Sequence, residues 1–364
     1  MRCTIIGGGI QGVSTGIILE YLGHDTTIVS DSFAYLDGPD IPTVATDYAA
    51  ASIYPVQIAS EYSEDELIRR AESTFEPFYN VEGVPVRKHR HFYIYEDSHD
   101  EPLPDRMGVQ SIENYNKYIP SREGYDIRGG YTCEEYFVEM PEYIPQLFNT
   151  YEQLGGTLTE QTLTTGDIPD LRGTIFNCAG YGSLELFDDS SMRAIRGHIL
   201  TVPYDDDSPL SFSYTYTPTT DEYGHYAYMY PREETVLFGG SYLEGDIING
   251  EWTGETPEKP MNIDGEIIPE RVYEVNAAIM NEHSSVSLDT SQISAKQGYR
   301  PYRADGMRIE EDANGIIHNY GHGGSGVSLS WWSAIQAINY AVDVDVDTSI
   351  LSSIATTVGQ VAAR

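Results

Sequence analysis

Near the N-terminus, the run Gly7-Gly8-Gly9-Ile10-Gln11-Gly12 sets glycines at 7, 9 and 12, the spacing G-x-G-x-x-G. The first permits a tight turn, the second lets main chain approach a pyrophosphate, and the third lets a helix pack on the strand before it. The chemistry is anion binding by N–H groups at a helix start. Asp31, with Ser32 beside it, is the acid placed to bond ribose hydroxyls. A second cluster is His318-Asn-Tyr-Gly-His-Gly-Gly-Ser-Gly326. Glycines at 321, 323, 324 and 326 ahead of a helical pattern (Val327, Trp331, Ile335, Ile338) let a large planar ligand touch main chain. A helix start there, over residues 323–328, stabilises negative charge. Arg300 can grip a carboxylate through two parallel N–H bonds. His318 and His322 read as structural hydrogen-bonders, and no nucleophile–base pair is recognisable. Cys3, Cys133 and Cys178 are too scattered for a disulfide framework or a zinc site, so no metal is expected.

These groups need elements to hold them. Residues 2–6 read as a buried strand, 11–22 as a helix closed by Gly23, and 26–30 as a second strand ending at Asp31. A helix over 141–154 stops at Gly155-Gly156, and strands follow at 157–163 and 174–179. Residues 56–130 look irregular, with alternating runs such as 91–95. Strands dominate 197–290, at 199–202, 211–217, 225–230 and 235–239. The tyrosines at 214, 216, 223, 226, 228 and 230 mostly read as strand-packing residues. The fold class is α/β: a discontinuous Rossmann-like nucleotide domain (1–55, 131–196, 291–364) and a strand-rich substrate domain (56–130, 197–290).

The 364 residues carry 57 Asp and Glu against 21 Lys and Arg, a net charge of −36. Nucleic acid and anionic membranes are poor partners for such a surface. The lysines are only Lys88, Lys117, Lys259 and Lys296, which together with the acid excess points to adaptation to molar salt, where repulsion is screened. With no signal peptide or membrane span recognisable, a cytoplasmic protein is expected.

The chain resembles the D-amino acid oxidase family, which includes D-aspartate oxidase. The likeness rests on 318–326, Gly298-Tyr-Arg-Pro301, Asn177-Cys-Ala-Gly180, Arg196-Gly-His-Ile199, Gly7 to Gly12 and the run 44–52, in the family's order across nearly the whole chain. It implies non-covalent FAD and oxidation of a D-amino acid to an imino acid, with O2 reduced to hydrogen peroxide. The cofactor residues it implies are Gly7, Gly8, Gly9, Ile10, Gln11, Gly12, Asp31, Ser32, Thr46, Ala50, Ala51, Ser52, Leu163, Ala179, Gly180, Arg300, Gly323, Gly324, Gly326, Val327 and Ser328. It makes Arg300 the carboxylate clamp and Tyr228, three residues before Pro231, its partner; the Gly324 carbonyl receives the amine. The family's second tyrosine falls on Gly224, with Tyr223 or Tyr226 a small shift away, and Ser52 and Tyr54 fall in the side-chain pocket. A neutral substrate is expected, because a second carboxylate needs a second cation and residues 197–231 offer only His198 and His225; of the nearest arginines, Arg303 points away from Arg300 on a strand, while Arg232, four residues from Tyr228, could share its face. Glycine or sarcosine oxidation, D-aspartate oxidation, a dehydrogenase, a flavin-binding protein without activity, and a homodimer stay open.

Overall fold

Strand Arg2–Gly8 is buried along Cys3, Thr4, Ile5 and Ile6, as a strand covered on both faces must be. In the computed structural model, which describes residues 1–36, 44–95, 103–112, 129–205, 210, 212–218, 226–232, 235–248, 250–282 and 287–362, this strand is central to a six-stranded sheet. The order is Arg308–Glu311, Ile316–Tyr320, Thr174–Asn177, Arg2–Gly8, Asp25–Phe33, Thr157–Glu160. Neighbours pair in parallel except at the outer Arg308–Glu311 strand. Helix Ile10–Tyr21 follows the glycine turn and packs beside helices Met140–Leu154 and Ser330–Ile338. Between the latter two, the buried Trp331 donates Nε1–H to the Tyr143 hydroxyl at 2.9 Å.

The chain divides into two compact units, residues 1–87, 136–195 and 299–364, and residues 88–135 and 196–298. Residues 56–87 therefore group with the first unit, whereas the sequence reading placed them in the strand-rich domain. The reason is an unforeseen helix, Glu64–Tyr79. Ser63 accepts from the Glu66 N–H while the Glu66 carboxylate accepts from the Ser63 N–H. Leu67, Ile68, Ala71, Phe75 and Phe78 form its buried face, with Phe78 stacked on Trp331 at 4.7 Å.

The second unit is built on an eleven-stranded sheet. Its main path runs Glu251–Gly254, Leu243–Ile248, Met192–Asp205, Thr235–Gly239, Ala227–Pro231, Phe212–Thr217, Val86–Tyr95, Gly129–Val138, Gln110–Ser111. Alternation sorts each strand into two faces. One face carries Leu200, Val202, Tyr214, Tyr216, Ala227, Met229, Val236 and Phe238 and packs on Val272, Val275, Ile279 and Met280 of helix Glu270–Glu282. That helix, in a stretch expected to be strands, covers the apolar face. The other face carries His89, His91, Tyr93, Ser213, Thr215, Tyr226, Tyr228 and Tyr230. The tyrosines therefore split by face: 214 and 216 pack in the helix-covered cluster, whereas 226, 228 and 230 stand on the other face, where 228 and 230 are also buried. Among the described residues no helix is long and apolar enough to cross a membrane.

Candidate active site

In the first unit the glycines are demanded by close approaches. A Cβ on Gly12 would stand 2.0 Å from the Gly7 carbonyl oxygen, one on Gly7 2.4 Å from that of Cys178, and one on Gly8 2.2 Å from that of Ser32. The strand, its two parallel neighbours and the helix thus meet at one turn. Gly9 differs, since its Cβ would meet only Thr46 Oγ1, at 3.1 Å. The same Oγ1 accepts from the Ile10 N–H at 3.1 Å, so Thr46 caps the start of the helix. Asp31 is exposed near the carboxyl end of Asp25–Phe33 and accepts from the Ser32 hydroxyl at 3.1 Å. Leu163 lies against Ile6, Ile168 and Ile316, a packing position.

The C-terminal glycine turn sits beside the first. Gln11 joins them, donating Nε2–H to the Gly326 carbonyl at 2.8 Å while its Oε1 accepts from the Ser333 hydroxyl at 2.9 Å. Two of the four glycines, Gly321 and Gly323, have positive φ (84° and 53°). A Cβ on Gly323 would lie 2.2 Å from the Gln57 carbonyl oxygen and one on Gly324 3.0 Å from that of Val56. The Gly324 N–H donates to the Gln57 carbonyl at 3.1 Å and the Ser325 hydroxyl to that of Val56 at 2.7 Å. Three of the four glycines are therefore also required by backbone geometry and protein contact, apart from any ligand they meet. Of the four, only Gly326 could carry a Cβ without crowding, its nearest neighbours being at an ordinary contact distance of 3.9 Å. The regular helix also starts later than expected, at Ser330, behind a short 3-10 turn Gly323–Ser325.

Ser52 pairs with Phe137 in an isolated bridge, and its carbonyl accepts from the Ser328 hydroxyl at 3.2 Å, which brings the 50–52 and 326–328 segments together. Ala51 there has a positive φ of 66°, a strained conformation for a residue with a Cβ, and it is buried beside half-buried Ala50. Tyr54 is committed elsewhere: its hydroxyl donates to Glu64, the first residue of the unforeseen helix. The turn Cys178-Ala179-Gly180 is fixed by Asn177, whose Oδ1 accepts from the Ala179 N–H at 3.1 Å and whose Nδ2 donates to His318 Nδ1 at 3.1 Å. Gly180 faces Pro301, so the strand Ser294–Arg303 brings half-buried Arg300 to this corner, and Tyr302, two residues on, bridges His322. Arg303 is bound to Asp189 at 2.8 Å. Burial pushes His322 down to about 3 and also lowers His318, which keeps both neutral. Burial holds the Cys178 thiol up at about 12, so it is inert.

Tyr228 belongs to the second unit. It pairs across the sheet with Gly239, whose missing side chain gives it room: a Cβ there would lie 2.1 Å from Tyr228 Cζ. Tyr226 and Tyr230 flank it, with ring centroids 6.1 and 5.2 Å away. Tyr223, Gly224 and His225 lie outside the described residues. His198 is held by Ser241, its Nδ1 2.9 Å from the hydroxyl. Sequence reasoning missed what continues this face. Tyr230 stacks on His91 at 5.7 Å and 27°. The His91 ring nitrogens meet the Ser213 and Thr215 hydroxyls at 2.7 and 3.0 Å. Arg106 donates to Glu135 at 2.8 Å and to the Tyr93 hydroxyl at 2.9 Å, and Tyr93 donates to Glu135 at 2.6 Å. The side chains of His91, Arg106 and Glu135 are 0% exposed, and burial pushes His91 down to about 4. The alternation of 89, 91 and 93 was readable. Its partners at 106 and 135 come from other segments, so no local pattern announces them. His89, His91 and Glu135 could by distance hold a metal, with ligand atoms within 4.8 Å of one another. The Arg106 guanidinium already neutralises Glu135, however, and both His91 nitrogens are engaged.

The arrangement in the first unit fits a dinucleotide: glycine-lined main chain at the carboxyl ends of parallel strands, a capped helix start, and an acid at the end of the second strand. The FAD dependent oxidoreductase family model matches residues 2–338. A D-amino-acid oxidase of Dictyostelium discoideum is 27% identical over 357 residues, covering 92% of this chain and 89% of that protein. Human D-aspartate oxidase is 23% identical over 368 residues, with 92% and 93% covered. The crystal structure of glycine oxidase from Geobacillus kaustophilus superposes with a TM-score of 0.67 at 14% identity, covering 96% and 98%, a likeness of fold.

Proposed function

The chain belongs to the FAD dependent oxidoreductase family, and from that premise we propose that it oxidises neutral D-amino acids to imino acids, with O2 as electron acceptor. It is a flavin enzyme with a Rossmann-like FAD domain and a substrate domain. The observation that carries the reading is the Gln11 bond to Gly326, across 315 residues of sequence, which makes one cradle of the two glycine turns. FAD when bound supplies a hydride acceptor. The chain's own residues do the rest: the turns at 7–12 and 326–328 hold it, and Arg300 fixes the substrate carboxylate plane through paired N–H bonds. Tyr228 donates a neutral hydrogen bond to that carboxylate, and the Gly324 carbonyl receives the amine. No base is needed for hydride transfer from the α-carbon.

The preference for neutral substrates is supported by commitment of cations. A second substrate carboxylate calls for an available guanidinium, but Arg106 on the tyrosine face is held by Glu135, and Arg303 by Asp189. An anaerobic panel of D- and L-amino acids with glycine and sarcosine, read by flavin absorbance, tests this. D-alanine or D-leucine should bleach the flavin, and in air each turnover should yield one peroxide. A higher kcat/KM for D-aspartate than for D-alanine and D-leucine would refute the preference, and bleaching without peroxide would replace O2 by a carrier. We read the −36 charge as adaptation to salt. Melting temperature should climb from low to molar sodium chloride, and a flat profile would count against it.

A further inference from the structure

The tyrosine face of the second unit is floored by a closed polar set where an apolar floor would serve stability as well. A buried ion pair is weak evidence of stabilisation, because the desolvation of both charges offsets their attraction. Arg106, Glu135, Tyr93 and His91 are nevertheless joined through bonds of 2.6 to 2.9 Å and a ring contact of 4.5 Å. They lead to one place. His91 is fixed at both nitrogens by Ser213 and Thr215, so its ring plane is set. Tyr230 stacks on that plane, and Tyr228 lies 5.2 Å beyond, over the gap left by Gly239. Gly239, without a side chain, makes room for the Tyr228 ring, which stands between the rings of Tyr226 and Tyr230. A metal reading fails here because a guanidinium already occupies the cation's place beside Glu135.

We propose that His91, held by Ser213 and Thr215 and backed by the Arg106–Glu135 pair, is a positioning residue that sets the Tyr228 phenol through the Tyr230 ring. The inference rests on the reading of Tyr228 as a carboxylate ligand. Its test is a double-mutant cycle on the flavin-loaded enzyme with D-alanine, following kcat, KM and flavin content for His91→Leu, Tyr228→Phe and the pair. Loss of one neutral hydrogen bond corresponds to about 2- to 10-fold, so Tyr228→Phe should raise KM by about that factor. His91→Leu should raise KM about threefold with kcat and flavin content unchanged, and the double variant should be no worse than Tyr228→Phe. A purely structural role for His91 would give multiplying effects, or a fall in flavin content, and either result overturns the proposal. A silent Tyr228→Phe removes the reading of Tyr228 itself and this inference with it. An active Tyr228→Phe with multiplying effects removes only the coupling. If His91→Leu fails to fold, Ser213→Ala with Thr215→Val releases the ring while keeping it, and the same cycle applies with the same outcomes.

Discussion

The glycine turns of the first unit and the tyrosine face of the second are built by opposite means. The first is main chain packed on main chain. Four Cβ positions, at 7, 8, 12 and 323, would fall within 2.4 Å of a carbonyl oxygen, and the polar side chains nearby, Gln11, Thr46 and Asn177, each make a bond to backbone. The second is side chain packed on side chain, with an ion pair, a histidine and stacked rings contributed by five segments. A backbone cradle tolerates almost no substitution at its glycines but is indifferent to its distant neighbours. A side-chain platform tolerates paired replacement and is sensitive to single ones.

The largest effect should come from the cradle. Gly12→Val puts atoms into the Gly7 carbonyl, so flavin affinity should fall by about tenfold or more, a change of about 1.4 kcal/mol or more. Gly326→Ala sharpens the point, because the protein accommodates a Cβ there at ordinary contact distance. Flavin affinity should fall while the melting temperature of the flavin-free protein stays put. An unchanged affinity would show that the cofactor does not use that side.

Next comes Arg300, the carboxylate clamp we propose. Arg300→Leu should lower kcat/KM by about 10²–10³-fold with flavin retained, as expected for losing charge-assisted bonds of about 1.5–3 kcal/mol each. Arg300→Lys should recover little, since one ammonium cannot set a carboxylate plane. Near-normal kinetics of Arg300→Leu would move the carboxylate site elsewhere.

The platform should fail by charge imbalance. Arg106→Leu leaves Glu135 buried and unpaired and should cost about 3–5 kcal/mol in a denaturant melt. Arg106→Leu with Glu135→Leu should regain most of that loss. If the double variant is as weak as the single, packing rather than charge governs this floor.

The smallest effect is a slope with pH, one histidine from each region. Burial pushes His91 and His322 from 6.5 down to about 4 and about 3, so the native protein keeps both neutral while the unfolded chain takes up protons below pH 6.5. Their contribution is complete above pH 6.5 and is lost as pH falls to about 4 for His91 and about 3 for His322. The stability difference between wild type and His91→Asn, or His322→Asn, should be constant above pH 6.5 and shrink below it. A constant difference down to pH 4 would mean that neither ring is neutralised by burial.

What could be read in the sequence is what main chain requires. Glycines at 7, 9 and 12, the acid at 31 and the Asn177-to-Gly180 turn announced a strand–turn–helix and its parallel neighbour, because steric exclusion of Cβ at positions such as 7 and 12 acts over a few adjacent residues and leaves a local spacing. The helix Glu64–Tyr79 was equally legible in Ser63, Glu66 and the recurrence of Leu67, Ala71, Phe75 and Phe78, and was obscured by the irregular stretch that follows it. The platform was not legible. Arg106 looks like any loop arginine and Glu135 like any strand glutamate until the sheet brings Val86–Tyr95 beside Gly129–Val138 and Phe212–Thr217. The same holds for three of the four glycines at 321–326. Their spacing points to ligand contact, and only folding revealed that backbone geometry and contact with Val56, Gln57 and Arg303 require them as well. Local sterics write themselves into sequence spacing. Burial, charge pairing and contact between distant segments depend on which strands become neighbours, and no single stretch of chain records that.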